Sequence, residues 1–299
     1  MPNTALLRIL FLGDVFGEPG RRAIAERLPQ LKERLAADFI IINGENAAAG
    51  RGLTPKLCIG LLRAGATVVT LGDHCWDQNE LVPFMETEPR LLRPLNFPHG
   101  SPGQGSIVLE TDKGKVAVLN AMGRTFTNPP VENPFLALDH EIAIIREQTP
   151  IIFLDFHAEA TSEKIAMGRY LDGRVSAVVG THTHVQTADE TIFPGGTAYL
   201  TDAGMCGPVD SVIGSEIGPV LRRFLTSMPT RFTVASGPVL LCGAIVDIDP
   251  ATGRAHSITR LRELWEPPAQ IPSPLPEAIP APILPVPDPE AVPPTLSGK

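Results

Sequence analysis

The chain has few of the features that mark disulfide-rich, membrane-spanning or duplex-binding proteins. Only 4 of its 299 residues are cysteine, and no CxxC pair occurs, so we expect free thiols in a reducing, cytoplasmic setting. No apolar run approaches the ~20 residues that span a bilayer. The opening string MPNTALLRILFLGD lacks a basic segment and indicates a first strand, not a signal peptide. We therefore expect no membrane partner.

Positive charge is also scarce. The formal net charge is −8 and Lys/Arg clusters are absent, which argues against a duplex nucleic-acid partner, because such binding depends on neutralised phosphates. A nucleic-acid-binding module ranks low for the same reason. A small phosphorylated substrate remains compatible with the charge, since bound metal supplies local positive charge.

The hydrophobic pattern predicts an α/β fold. Up to about Trp265, short β-branched runs such as FIIINGEN alternate with amphipathic stretches such as RRAIAERLPQLKERL. SIVLETDKGKVAVLN and VLLCGAIVDIDPATGRAHSITRLREL each predict a β-hairpin. Two packed mixed sheets flanked by helices are therefore expected, and with 43% hydrophobic residues the chain can bury a large core.

Beyond Glu266 the composition changes. Twelve of the 31 prolines lie between Pro267 and Pro294, without helical or strand periodicity. We predict a domain over residues 1–266 and an extended or disordered tail over 267–299. A solvated appendage is favoured there over a polyproline docking ligand.

Five apolar strand candidates are each followed by residue types that bind metals. In α/β sheets, ligands bind beyond the carboxyl ends of strands, so such residues converge in space. Each residue alone has an ordinary explanation as a turn, cap or core side chain, but carboxylates and imidazoles are costly to bury unless paired or coordinated. The mixture of carboxylate, carboxamide and imidazole, without thiolate, suits Mn, Fe, Co, Ni or Zn. The residues are Asp14, Glu45, Asn46, Asp73, His74, His157, His182 and His184.

The strings GDVFGEPGR, NGENAAAGRGLT, GDHCWD, DFHAEATSEK and GTHTHVQTAD resemble the YmdB-like branch of the calcineurin-type metallophosphoesterases, which comprises bacterial cyclic-nucleotide phosphodiesterases and close relatives. The likeness runs from Gly13 to about Gly214. It implies a metallophosphoesterase-like sandwich that hydrolyses small phosphodiesters, 2′,3′-cyclic or 3′,5′-cyclic nucleotides among them.

The resemblance also implies the ligands and the chemistry. Two metal ions, Fe or Mn first and Zn, Co or Ni as alternatives, would share Glu45 as a bridge. His74 would be the proton donor in an attack by metal-bound hydroxide. One ion would have the ligands Asp14, Glu45, Asn46 and His184, and the other Glu45, Asp73, His157 and His182.

Two positions depart from the family pattern. Asp73 stands where the family usually has Asn, which adds a negative charge and would change the metal preference. Phe16 occupies the position at which the wider superfamily has a histidine, in its Asp-x-His motif.

Three further readings stay open at this point. A phosphomonoesterase or promiscuous phosphatase can use the same dinuclear centre. A metal-binding regulatory or scaffold protein would have no need of His74. Assembly into a homo-oligomer is also left open.

Overall fold

A computed structural model describes residues 5–268, in which fourteen strands and six helices alternate along the chain. The strands are β1 (Leu7–Leu12), β2 (Asp14–Val15), β3 (Phe39–Asn43), β4 (Val68–Thr70), β5 (Leu91–Leu92), β6 (Ser106–Thr111), β7 (Gly114–Met122), β8 (Ile151–His157), β9 (Ala177–Thr181), β10 (Thr191–Ile192), β11 (Ala198–Leu200), β12 (Met205–Pro208), β13 (Val239–Ile248) and β14 (Ala255–Trp265). The helices are α1 (Gly17–Leu35), α2 (Pro55–Ala64), α3 (Leu81–Met85), α4 (Pro134–Ile145), α5 (Thr161–Tyr170) and α6 (Ile217–Thr226).

Both sheets are mixed. The first has the order β2-β12-β13-β1-β3-β4-β5, with β14 paired to β13, and the second has the order β10-β11-β9-β8-β7-β6. In the first sheet β1, β3, β4 and β5 run parallel, while β13 is antiparallel to β1. In the second, β7, β8, β9 and β11 run parallel between antiparallel edge strands. The α/β prediction and both hairpins, β6-β7 and β13-β14, are confirmed.

The side-chain alternation of the central strands builds four layers. On β1, Leu7, Ile9 and Phe11 pack against the second sheet, and the Phe11 and Phe153 ring centroids are 5.2 Å apart. Leu10 and Leu12 point the other way, into a core shared with α1 and α2. Leu119 and Phe156 of the second sheet pack on α4 and α5 in the same manner. Strands buried on both faces explain the continuous apolar runs in the sequence.

Local signals place the element ends. Thr54 caps α2 by accepting a hydrogen bond from the Leu57 backbone nitrogen, and Pro55 occupies the first helical position, where proline is favoured. The β6-β7 turn closes at Gly114, whose φ of 123° favours glycine.

Most of the predicted proline-rich tail lies outside the described residues, so the boundary after residue 266 stays a prediction. Within residues 5–268, no helix is long and apolar enough to cross a membrane.

Candidate metal centre

The carboxyl ends of parallel strands from both sheets meet at one place. β8 ends at His157, β9 ends one residue before His182, and the chain leaves β3 and β4 just before Glu45 and Asp73. Asp14 lies in the two-residue strand β2, which pairs with β12, and it is buried. The sandwich thus gathers side chains that are up to 170 positions apart in the sequence.

Four of the predicted ligands form a tight group. One ligand atom from each of Glu45, Asp73, His157 and His182 lies within 4.8 Å of all the others. His157 Nε2 is 3.0 Å from Asp73 Oδ1, 3.0 Å from His182 Nδ1 and 3.2 Å from Glu45 Oε2. A single imidazole nitrogen cannot satisfy three such neighbours with one proton, whereas a cation between them can.

Hydrogen bonds outside the group fix the tautomer of two imidazoles. Thr181 Oγ1 donates to Asp155 Oδ1 at 2.7 Å, so it accepts from His157 Nδ1 at 3.0 Å, and His157 Nε2 is left as the free lone pair. Glu159 Oε2 lies 3.0 Å from His182 Nε2, which leaves His182 Nδ1 pointing inwards. This is how ligating histidines are usually oriented.

The remaining predicted ligands, Asn46, His184 and Asp14, are the second set, and each lies beside the tight group or is close in sequence to one of its members. His184 Nδ1 donates to the Ile213 carbonyl oxygen at 2.9 Å, and its Nε2 lies 3.1 Å from Asn46 Oδ1. The Asn46 amide nitrogen donates to the Gly50 carbonyl oxygen, which aims Oδ1 at His184. Asp14 Oδ2 accepts from the His182 backbone nitrogen at 3.1 Å. These three residues lie outside the tight group of four, and Glu45 is the sequence neighbour of Asn46.

Two buried oxygens indicate that the donor set fits a cation. Asp14 Oδ1 and Glu45 Oε2 are inaccessible to solvent and have no hydrogen-bond partner among the described residues. A buried, unpaired carboxylate oxygen is costly unless a cation or proton compensates it. The donors are therefore of the kind, and in the arrangement, that metal binding requires.

The electrostatics of the group agree with this. Burial opposes a charged His157, yet the carboxylates of Glu45, Asp73 and Asp14 outweigh it and raise the pKa of His157 well above its ordinary value. Burial would raise the pKa of Asp73, but its contacts with the imidazoles of His157 and His182 lower it well below its usual range. The site is thus a negative pocket that attracts positive charge.

Gly72 lets the donors approach each other. A Cβ built on Gly72 would lie closer than 3.0 Å to both Glu45 Oε2 and His157 Nε2. Two ligand side chains therefore pack directly on a backbone that carries no side chain of its own.

His74, the predicted proton donor, lies at the rim and lines the adjoining cavity. Its Nδ1 is 3.2 Å from Asp77 Oδ2, and its Nε2 is 3.7 Å from Asp73 Oδ2. Phe16 packs edge-on against His184, with ring centroids 5.4 Å apart, so an aromatic ring fills the position of the superfamily histidine.

Sequence reasoning did not assign several residues that the structure places around the site. Asp155, Thr181 and Glu159 orient the imidazoles. Burial raises the pKa of Asp155 to about 6, against hydrogen bonds from Thr181 and Thr70. The available signal was an aspartate inside an otherwise apolar strand, IIFLDF. Gly72 gave no signal beyond its place before Asp73.

Comparison with known proteins identifies the family. A family model described as YmdB-like protein matches residues 10–261. The chain belongs to the YmdB-like family. It is therefore a metallophosphoesterase, as the motifs predicted, and the match continues past Gly214 to residue 261, within β14.

Several relatives of this YmdB-like protein are similar over most of its length. A Bacillus subtilis (strain 168) protein named 2′,3′-cyclic-nucleotide 2′-phosphodiesterase is 52% identical over 255 residues, which are 85% of this chain and 96% of the relative. The crystal structure of a novel phosphatase from Mycoplasma pneumoniae has a TM-score of 0.83 at 37% identity. The match covers 88% of this chain and 95% of the phosphatase chain. A putative 5′-nucleotidase from Staphylococcus aureus shares the fold alone, with a TM-score of 0.57 at 13% identity. The match covers 85% of this chain and 54% of the nucleotidase chain.

Proposed function

We propose that this YmdB-like protein hydrolyses small phosphodiesters, with 2′,3′-cyclic nucleotides as the first candidates, at a centre of two metal ions. The observation that carries the proposal is the convergence of Glu45, Asp73, His157 and His182 within 4.8 Å, beside a cavity large enough for a nucleotide. The name of the 52% identical Bacillus subtilis relative supports the choice of substrate.

The two ions would share Glu45. Asp73, His157 and His182 complete the tight group, and Asp14, Asn46 and His184 the second set. Mixed oxygen and nitrogen donors favour Fe or Mn, with Zn, Co and Ni as alternatives. When bound, such ions lower the pKa of a water molecule and offset negative charge on the phosphate.

The cavity beside the centre is lined by two chemically different groups of side chains. Its volume is about 410 Å³, within the range of small-molecule sites. His74, His182 and His184 line it at the metal centre, and Ile213, Phe232 and Val234 supply an apolar wall. A nucleotide matches this arrangement, because its phosphate belongs with the metals and its base can pack on apolar or aromatic side chains.

His74 would deliver the proton that the leaving oxygen needs. Asp77 Oδ2 orients the ring through Nδ1, and Arg51 in turn holds Asp77 at 2.9 Å. His74 Nε2 is then the nitrogen free to face a substrate in the cavity. Such proton transfer contributes ~10²- to 10⁴-fold to the rate.

A substrate panel tests the proposal. Metal-stripped protein is reconstituted with Mn²⁺ or Fe²⁺ and assayed on 2′,3′-cyclic nucleotides, 3′,5′-cyclic nucleotides, linear diesters and monoesters. We expect the 2′,3′-cyclic nucleotides to have the highest kcat/KM, and His157→Ala to abolish the activity. Lys113→Met, which alters an ion pair with Asp38 on another surface, is the matched control and should keep the wild-type rate.

Two outcomes would contradict the proposal. Faster turnover of monoesters than of any diester would favour the phosphatase reading, which the name of the Mycoplasma pneumoniae structure also carries. Metal binding without turnover of any phosphate ester would favour a regulatory or scaffold protein.

A further inference from the structure

One buried charged pair lies next to the metal centre without being part of it. Lys164 of α5 is 1% exposed and Asp202 is fully buried, and Lys164 Nζ donates to Asp202 Oδ2 at 2.7 Å. Removing two charges from water costs so much that a buried pair is weak evidence for stability. The pair therefore calls for another explanation.

Asp202 holds the loop that carries two predicted ligands. Its Oδ2 accepts from the Thr183 backbone nitrogen at 3.1 Å and from Thr183 Oγ1 at 2.7 Å. Its Oδ1 accepts from the Gly204 backbone nitrogen at 2.8 Å. Thr183 lies between His182 and His184, so one carboxylate fixes the residue that joins the two imidazoles.

The backbone of that loop is strained. His182 has a φ of 100° and His184 a φ of 66°, a region that non-glycine residues enter rarely and at a cost. Such a conformation persists only where the surroundings impose it. The hydrogen bonds that Thr183 donates to Asp202 lie between the two strained residues and supply that constraint.

Lys164 reaches Asp202 past a glycine. A Cβ on Gly180 would meet Lys164 Cδ at 3.0 Å and would overlap the Thr201 carbonyl oxygen. The lysine stem thus crosses β9 at its one residue without a side chain. Because Asp202 is buried, its carboxylate needs the positive charge of Lys164 to stay ionised. The ionised carboxylate then accepts hydrogen bonds from the three donors named above.

We propose that Lys164 and Asp202 are positioning residues, which hold the 182–184 loop so that His182 and His184 face the metal centre. Lys164 keeps Asp202 charged and in place, and Asp202 fixes Thr183. The inference rests on the proposed metal centre, since it assigns a role towards the ligands of that centre. Neither residue touches the substrate.

The test is calorimetric titration of metal-stripped protein with Mn²⁺ alone. The main variant, Lys164→Met/Asp202→Asn, removes both charges and so avoids leaving one of them unpaired. We expect it to fold and to bind Mn²⁺ ~10- to 100-fold more weakly, the usual cost of losing a group that orients a ligand. At saturating Mn²⁺ its KM should stay near that of the wild type, because the cavity wall is unchanged.

Lys113→Met again serves as the control, and it should match the wild type in Mn²⁺ affinity. A double variant with wild-type Mn²⁺ affinity would overturn the inference, whatever its melting temperature, because the pair would then be structural only. If the double variant fails to fold, Thr183→Val decides. It removes one hydrogen bond to Asp202, and unchanged Mn²⁺ affinity in it would equally refute the inference. Wild-type protein that bound no Mn²⁺ would refute the metal centre itself.

Discussion

Replacing Gly72 by alanine probes how closely the ligand atoms of the centre must approach. The new methyl group would lie within 3.0 Å of Glu45 Oε2 and His157 Nε2, a distance that Cβ atoms essentially never show. Both side chains are buried and fixed by their neighbours, so at least one donor atom must retreat by ~1 Å. Misplacement on that scale can cost ~10²-fold in rate. We expect turnover at saturating Mn²⁺ to fall by that factor and Mn²⁺ affinity to fall ~10- to 100-fold.

The assay combines Mn²⁺ titration, hydrolysis of a 2′,3′-cyclic nucleotide and thermal unfolding. Gly60→Ala is the matched control, because no heavy atom lies within 4 Å of its added Cβ and the residue sits inside α2. Alanine there should leave the metal and the activity unchanged and add ~0.5–1 kcal/mol of stability. Wild-type Mn²⁺ affinity and turnover in Gly72→Ala would refute the packing described for the centre.

Four further substitutions test separate parts of the account. His74→Ala should keep Mn²⁺ binding and lose ~10²- to 10⁴-fold in kcat on an ordinary diester. His157→Ala should lose metal and activity together. A wild-type rate in His74→Ala would contradict the role of His74 as proton donor. Phe232→Ala should raise KM for a cyclic nucleotide and leave KM for a diester with no base unchanged, because the base is the part that would pack on the apolar wall. Equal changes in the two KM values would refute this placement of the base. Asp247→Asn removes a carboxylate whose pKa is lowered, chiefly by its hydrogen bond from Arg8. A carboxylate with a lowered pKa stabilises the folded state at pH values above its ordinary pKa of ~3.9. This stabilisation is lost as the pH falls through the pKa of the folded state. Chemical unfolding should therefore give the wild type a higher free energy of unfolding than Asp247→Asn near pH 6. This difference in free energy should narrow below pH ~4, and a difference that grows on acidification would contradict the direction of the pKa shift.

Much of the fold follows from local pattern. Short β-branched runs predicted the strands, and turn residues marked the hairpins at Gly114 and in the 249–254 segment. Thr54 with Pro55 marked the start of α2. These signals lie within a few residues of each other, so the sequence carries them without reference to the rest of the chain.

The convergence of the candidate ligands was predictable for a related reason. Because the parallel strands of one sheet end at a common edge, the residues after β3 and β4 are expected near one another, and so are those at the ends of β8 and β9. That the two edges meet depends on how the sheets pack. The detailed geometry of the ligands was not predictable, since it depends on contacts between distant segments. The left-handed backbone at His182 and the Lys164–Asp202 pair have no local signature. The strand β2 that carries Asp14 also has no local signature, because a two-residue strand is too short to leave a periodic pattern.

The central claim is that seven side chains hold two metal ions. Anomalous diffraction from crystals grown with Mn²⁺ tests it most directly. We predict two peaks ~3.5–4 Å apart with Glu45 between them, one bounded also by Asp73, His157 and His182 and the other by Asp14, Asn46 and His184. No peak at this place, or ions bound only at other surfaces, would contradict the account.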